Sequence, residues 1–140
     1  MNALNDLLGG GGLTSGLGVG GPSPIVAYEK NNVKIMAEGF EKGLTPGEVG
    51  MRLVATTSSP SPLTDFDLKV AVPKSMQIKL EAASSTSLTA TGQPIRQALT
   101  IKNPKNAQLK IKLRIEYKLN NTPVQEMAQV DNFPQEVSSW

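Results

Sequence analysis

The clearest structural signal in this chain is Gln108-Leu109-Lys110-Ile111-Lys112-Leu113-Arg114-Ile115-Glu116-Tyr117, a stretch that alternates polar and apolar side chains without a break. Successive side chains of a β-strand point to opposite faces of a sheet, so this pattern predicts a strand with one buried and one solvated face. Seven further strand candidates, three of them with clear alternation, lie along the chain. They cover residues 25–29, 33–40, 49–56, 65–72, 76–81, 95–102 and 123–130.

Residues that favour turns separate these candidates, among them Asn31-Asn32 and Asn120-Asn121. Asparagine tolerates the left-handed backbone of tight hairpins. No stretch shows a convincing helical pattern. The chain is therefore predicted to be all-β, an immunoglobulin-like β-sandwich of about eight strands. Phe66 and Phe133 are expected in its core, while Trp140 either packs back onto the sandwich or hangs free.

The composition changes abruptly near residue 24. Eight of the 13 glycines lie within the first 21 residues, and Asp6 is the only charged side chain before Glu29. A glycine-rich segment loses much entropy on ordering and has few large side chains to bury, so we expect residues 1–24 to be a flexible linker. Residues 25–140 are expected to form one domain.

The residue types that are absent exclude several kinds of site. The 140 residues include no Cys and no His, so there is no thiol nucleophile, no cysteine zinc site and no imidazole base. Asp65 and Asp67 form a spaced carboxylate pair, but they have no partner base and are expected to be solvated. No apolar run approaches the roughly 20 residues of a membrane-spanning helix. We therefore expect no enzyme, no catalytic residue, no metal, no cofactor and no insertion into a membrane.

The net charge of +2 hides a segregated distribution of charge. Residues 69–115 carry nine basic side chains and one acidic one. Lys110, Lys112 and Arg114 project from one face of the clearest strand as a row. This row is either a plain solvated face, a binding face for acidic ligands, or a surface that meets nucleic acid or another anionic surface. Nucleic acid is disfavoured, because aromatic stacking residues are few and scattered.

Seven sequence stretches, in this order, carry a family resemblance. They are IVAY at 25–28 with VKI at 33–35, LTDF at 63–66 running into AVPK at 71–74, IKNP at 101–104, QLKIKLRIEY at 108–117, and VDNFP at 130–134 with Trp140. Residues 25–140 thereby resemble the ear (appendage) domain of gamma-adaptin, which also occurs at the C-terminus of the Golgi-localised gamma-ear-containing adaptors.

The resemblance implies a docking module of a clathrin adaptor in vesicle-mediated transport. Such ears bind acidic-phenylalanine peptides of accessory proteins through main-chain hydrogen bonds along a strand and shallow pockets ringed by basic residues. The implied location is cytoplasmic, peripheral on trans-Golgi network, endosomal and clathrin-coated vesicle membranes. Other adaptor subunits are expected to contact an N-terminal part not included here. By alignment, the pocket floor falls on Ala71, Pro73 and Leu80, and the basic rim on Lys74, Lys110 and Lys112, assisted by Arg114.

Each of these assignments has a plain alternative. Ala71 either opens a pocket or is a neutral small residue, and Pro73 also turns the chain at a corner. Leu80 shares its alternation with Met76 and Ile78, which argues for the core. The segment Asp6-Leu7-Leu8 resembles a hinge segment that engages clathrin, and its alternative is an ordinary linker.

Overall fold

The computed structural model describes residues 22–140, which form eight β-strands and one short 3-10 helix. The strands are β1 (Ile25–Lys30), β2 (Val33–Lys42), β3 (Glu48–Thr57), β4 (Leu63–Ala71), β5 (Gln77–Leu80), β6 (Ile95–Lys102), β7 (Ile111–Leu119) and β8 (Thr122–Val130). The 3-10 helix covers Gln135–Ser139. The predicted all-β fold with about eight strands is confirmed.

The strands form two antiparallel sheets that face each other. The five-stranded sheet has the order β1-β2-β3-β6-β5, and the three-stranded sheet has the order β4-β7-β8. Apolar residues from alternate positions fill the space between them, with Ile35, Leu53 and Leu99 from the larger sheet and Leu113 and Ile115 from the smaller one all 0–1% exposed. Truncating one such side chain to alanine typically costs about 2–5 kcal/mol, so this layer holds the two sheets together.

Two asparagine pairs make the tight hairpins. Asn31 and Asn32, between β1 and β2, have φ angles of 54° and 64°. Asn120 and Asn121, between β7 and β8, have φ angles of 52° and 65°. Two-residue hairpins need this backbone because its twist matches that of the strands. The second hairpin also fixes the register of β7 against β8, starting from the pair Leu119 and Thr122.

A bulge in β4 changes one detail of the predicted alternation. The register with β7 shifts between Thr64 and Asp67, and Asp65 takes a φ of 50°. The extra residue lets both Leu63 and Phe66 point inward although they are three positions apart. Asp65 and Asp67 are exposed as expected, and each is already bound to a lysine: Asp65 to Lys118 at 3.3 Å and Asp67 to Lys69 at 2.7 Å.

The C-terminal segment closes one end of the sandwich. Trp140 packs against the core, and its carbonyl oxygen accepts a hydrogen bond from Gly47 N at 2.8 Å. Ser138 Oγ accepts a hydrogen bond from Leu109 N at 2.9 Å. β7 begins at Ile111, later than the alternation from residue 108 indicated, because its partner strands end there, β8 at Val130 opposite Ile111 and β4 at Ala71 opposite Lys112. Of the two fates expected for Trp140, packing back onto the sandwich is the one observed.

Candidate functional site

An open groove of about 460 Å³ lies where β4 ends beside the start of β7. Four of the residues expected to form a peptide site line it, namely Ala71, Pro73, Lys110 and Lys112. Val72, Ile111 and Gln129 complete the lining. The groove therefore combines a largely apolar floor with two lysines and one amide at its margin.

Strand register explains why these residues meet. Lys112 is paired with Ala71 on β4 and with Gln129 on β8, so the three side chains stand side by side on the outer face of the three-stranded sheet. All three are exposed. The small Ala71 side chain leaves room between its neighbours, while Ile111 is buried and closes the groove from below.

A tight turn follows β4 at the end of the groove. Pro73 O accepts a hydrogen bond from Met76 N at 2.9 Å, and Met76 is buried. Pro73 thus turns the chain and lines the groove at once. Lys74 lies in this turn and is exposed to solvent, but it does not line the groove.

The cations of the basic row differ in how they are paired. Lys110, Lys112 and Lys74 form no ion pair with any residue from 22 to 140. Arg114 Nε lies 2.6 Å from Glu116 Oε2, and its Nη2 donates a hydrogen bond to Gln125 Oε1 at 3.1 Å. Arg114 is therefore already paired, and it does not line the groove, although it belongs to the same row. Lys110 and Lys112 are the groove's available positive charges.

Leu80 lies outside this groove. It is half-buried on β5 at the edge of the five-stranded sheet, where it is paired with Leu99 and packs against the core. Its side chain follows the alternation of Met76 and Ile78, as the sequence indicated. A role for Leu80, Lys74 and Arg114 in peptide binding stays a prediction.

Gln129 also lines the groove, although it was not among the residues predicted for the site. A signal for it was present: a two-residue turn at Asn120-Asn121 pairs Leu119 with Thr122, and counting outward then pairs Lys112 with Gln129. The residues that line the groove include no carboxylate. Within the described part of the chain, no three acidic side chains are grouped closely enough to hold a metal ion, and no helix is long and apolar enough to cross a membrane.

Asp6, Leu7 and Leu8, the segment compared with clathrin-binding hinges, lie outside the described residues. The same holds for most of the predicted linker at 1–24. Both assignments stay predictions.

Comparison with known proteins places this architecture in a family. Residues 23–134 match the family model described as "Adaptin C-terminal domain". The chain is 41% identical over 118 residues to AP-1 complex subunit gamma-1 of Arabidopsis thaliana, which aligns 80% of this chain and 13% of that subunit. It is 36% identical over 123 residues to AP-1 complex subunit gamma-like 2 of Mus musculus, with 85% and 15% covered. The chain thus spans about one seventh of the length of these relatives.

Solved structures agree with this assignment. The GAE domain of GGA2p from Saccharomyces cerevisiae superimposes with a TM-score of 0.68 at 30% identity, covering 79% of this chain and 96% of that one. The yeast GGA1 GAE domain, at 18% identity and a TM-score of 0.67, shares the fold. This chain belongs to the adaptin C-terminal domain family and is a gamma-adaptin ear (GAE) domain, the appendage found in AP-1 gamma subunits and GGA adaptors.

Proposed function

We propose that this ear domain recruits accessory proteins to a clathrin adaptor by binding short acidic-phenylalanine peptides in the groove at Ala71. The observation that supports the proposal most is the pairing of an apolar floor with two lysines that have no partner among residues 22–140. A phenylalanine ring would rest on the floor formed by Ala71, Val72 and Ile111. Carboxylates beside it would neutralise Lys110 and Lys112.

The groove suits a weak, reversible interaction. It is shallow and open, and a short disordered peptide loses conformational freedom when it binds, so we expect a free energy of about −7 to −8 kcal/mol, which is micromolar affinity. Lysines act here as mobile point charges and cannot make the bidentate hydrogen bonds that arginine makes to a carboxylate. The electrostatic contribution to the binding free energy is therefore modest. Many such contacts on one coat would raise the overall avidity.

The proposed cellular setting is the one in which clathrin adaptors work. The domain would act without catalysis in the cytoplasm, peripherally on trans-Golgi network, endosomal and clathrin-coated vesicle membranes. The linker, including Asp6, Leu7 and Leu8, would supply a contact with clathrin. The alternative of nucleic acid or another anionic surface as ligand loses support because Arg114 is paired with Glu116, which shortens the available basic row to Lys110 and Lys112.

Titration of the isotope-labelled chain, followed by backbone amide NMR, tests the proposal. The probe is a peptide of about eight residues with three aspartates beside one phenylalanine. We expect fast-exchange shifts centred on residues 71–74 and 110–112. A peptide with alanine for phenylalanine and a peptide with asparagines for the aspartates should each bind several-fold more weakly.

A short single-stranded oligonucleotide serves as the competing ligand. If it displaces the peptide and binds more tightly, the anionic-surface alternative is correct and the peptide function is refuted. If the alanine peptide binds as well as the phenylalanine peptide, the groove has no pocket for a ring. Chemical-shift changes confined to β5 and its neighbours would show that the peptide binds near Leu80 instead.

A further inference from the structure

One leucine at the end of the five-stranded sheet is completely exposed. Leu44, in the loop between β2 and β3, is 102% exposed, while the other exposed large apolar side chains of the described chain, Met127 and Val26, reach 61% and 40%. The loop that carries it is fixed by hydrogen bonds. Leu44 N donates to Glu48 Oε1 at 2.9 Å, and the backbone nitrogens on either side of the loop are also bonded. Leu44 is therefore held out into solvent as a rigid projection.

A shallow depression of about 420 Å³ lies beside Leu44 on the outer face of the same sheet. Leu44, Gly50 and Ala98 are among the residues that line it. Gly50 and Ala98 face outward, because Met51 and Leu99, which follow them in the alternation of β3 and β6, are buried. The lining residues with small side chains thus leave a hollow next to the projecting leucine.

Gly50 has no function in the packing of the domain itself. A glycine inside a strand weakens the strand and often marks a place where another group approaches closely. The φ of Gly50 is not positive, and a Cβ added to it would meet nothing nearer than Glu41 O at 3.9 Å. A larger side chain would fit at this position, so the space above Gly50 is open to a ligand.

The charges around the depression sum to zero. Two acidic residues, Glu41 and Glu48, and two basic residues, Lys42 and Arg52, line it. Arg52 is bound to Glu38 at 2.8 Å, whereas Glu41 and Lys42 are exposed and form no ion pair within the described part of the chain. A neutral face does not repel a second copy of itself, unlike the lysine-edged groove on the other sheet.

We propose that this face, which is defined by Leu44, Gly50, Ala98, Glu41 and Lys42 and is called the Leu44 face below, joins two copies of the chain in a two-fold symmetric dimer. The face carries a projection and a depression side by side, which is the self-complementary arrangement that a two-fold contact needs. Each Leu44 lies in the depression above the partner's Gly50. Glu41 of one protomer lies opposite Lys42 of the other.

The size of the face makes the dimer a weak one. The contact rests on one leucine and one exposed ion pair from each protomer, which is typical of small, transient interfaces, so we expect a dissociation constant of about 0.3 mM. Weak contacts of this kind gain effect where many copies are held close together, as on a coat. The inference does not rest on the proposed peptide site, which lies on the other sheet.

Sedimentation equilibrium of the full chain at concentrations of about 0.02 to 1 mM measures the dimer directly. Leu44→Ser should weaken it about thirtyfold, because the loss of one apolar contact costs about sixfold and the dimer contains two. Gly50→Val fills the depression and should weaken the dimer at least tenfold, while its urea midpoint is unchanged or higher. Met127→Ser is the matched control, an exposed apolar residue of the other sheet, and should have no effect.

A charge-exchange experiment tests the two-fold arrangement. Glu41→Lys alone and Lys42→Glu alone each place like charges opposite one another, so each variant should dimerise several-fold more weakly than the unmodified chain. An equimolar mixture of the two variants brings opposite charges together and should associate at least as tightly as the unmodified chain. A mixture that stays monomeric would contradict the proposed pairing of Glu41 with Lys42.

Backbone amide NMR on dilution locates the surface that associates. We expect concentration-dependent shifts centred on residues 41–50 and 98–100. A chain that remains monomeric at 1 mM overturns the inference, and so does a dimer that Leu44→Ser leaves intact or whose shifts fall on residues 71–74 and 110–112. Binding of the acidic-phenylalanine peptide should be the same in Leu44→Ser as in the unmodified chain, so failure of the dimer and failure of the proposed function are separate results.

Discussion

Reversal of one charge in the groove gives a prediction whose size follows from the structure. Lys112 is exposed at the centre of the groove margin, between Ala71 and Gln129, and has no ion-pair partner among residues 22–140. Lys112→Glu replaces an attraction to a peptide carboxylate by a repulsion of similar size. The side chain is solvated in both forms, so we expect the fold to be unaffected.

The expected loss can be calculated for one carboxylate at about 6 Å from the charged atom. With an effective dielectric constant of about 60, between the values for a protein surface and for water, a unit pair contributes about 0.9 kcal/mol before screening. Screening at 0.15 M salt roughly halves this, and reversal doubles the difference, which gives about 0.9 kcal/mol or an about fivefold weaker complex. At 0.01 M salt the same calculation gives about 1.5 kcal/mol, or thirteenfold.

Calorimetric titration of the acidic-phenylalanine peptide at the two salt concentrations measures both ratios. Lys34→Glu is the control, because Lys34 is exposed on β2 of the other sheet and also lacks an ion pair among the described residues. The groove assignment is refuted if Lys34→Glu weakens binding as much as Lys112→Glu does. A loss that does not change with salt would show that Lys112 acts through packing and not through its charge.

Three further predictions concern stability, each measured by urea unfolding. Gly47→Ala should lower the free energy of unfolding by about 2 kcal/mol or more, because Gly47 has a φ of 82° and a Cβ would lie 2.6 Å from Asn103 O; an unchanged midpoint would contradict this. Asn103→Ala should cost about 2 kcal/mol, since its side chain donates to Ala107 O at 2.7 Å and accepts from Ala107 N at 3.2 Å; a neutral result would mean that water replaces both bonds. Tyr28→Phe should raise stability by about 1 kcal/mol near pH 7, because the hydroxyl is buried with no hydrogen-bond partner among the described residues. Burial, then the charge of Glu126, raises the pKa of Tyr28 above its ordinary 10.0, so ionisation of this hydroxyl disfavours the native state, and stability falls as the pH rises from 10 through the folded-state pKa. Stability between pH 9 and 11 should therefore fall more steeply in the unmodified protein than in Tyr28→Phe, and equal slopes would refute the assignment.

The strands could be predicted from the sequence because each strand buries one face and exposes the other to solvent. Residues 111–117 show the cause most plainly: the apolar side chains are buried and Lys112 and Arg114 are exposed. The two asparagine hairpins were predictable for a similarly local reason, since only a few residue types adopt positive φ at low cost.

The pairing between distant strands could not be predicted from local pattern. The contact between β4 and β7 depends on tertiary packing, and with it the position of Ala71 next to Lys112. Alternation alone places Lys110, Lys112 and Arg114 in one row and does not distinguish their pairing. Glu116 lies two positions beyond Arg114 on the same face, so their ion pair was foreseeable from strand geometry. The placement of Leu80 in the other sheet follows from the turn at Pro73, which the sequence marked only as a corner.

The groove draws its two walls from strands that are far apart in the sequence and adjacent only after β4 has paired with β7. If the proposed peptide binds there, its binding depends on intact tertiary structure, and a domain that lost this pairing would also lose the peptide. By mass action, a peptide present at ten times its dissociation constant adds about 1.4 kcal/mol to the stability of the sandwich. Crowding of partner peptides on a coat would protect each ear from unfolding, and dispersal of the partners would withdraw that protection.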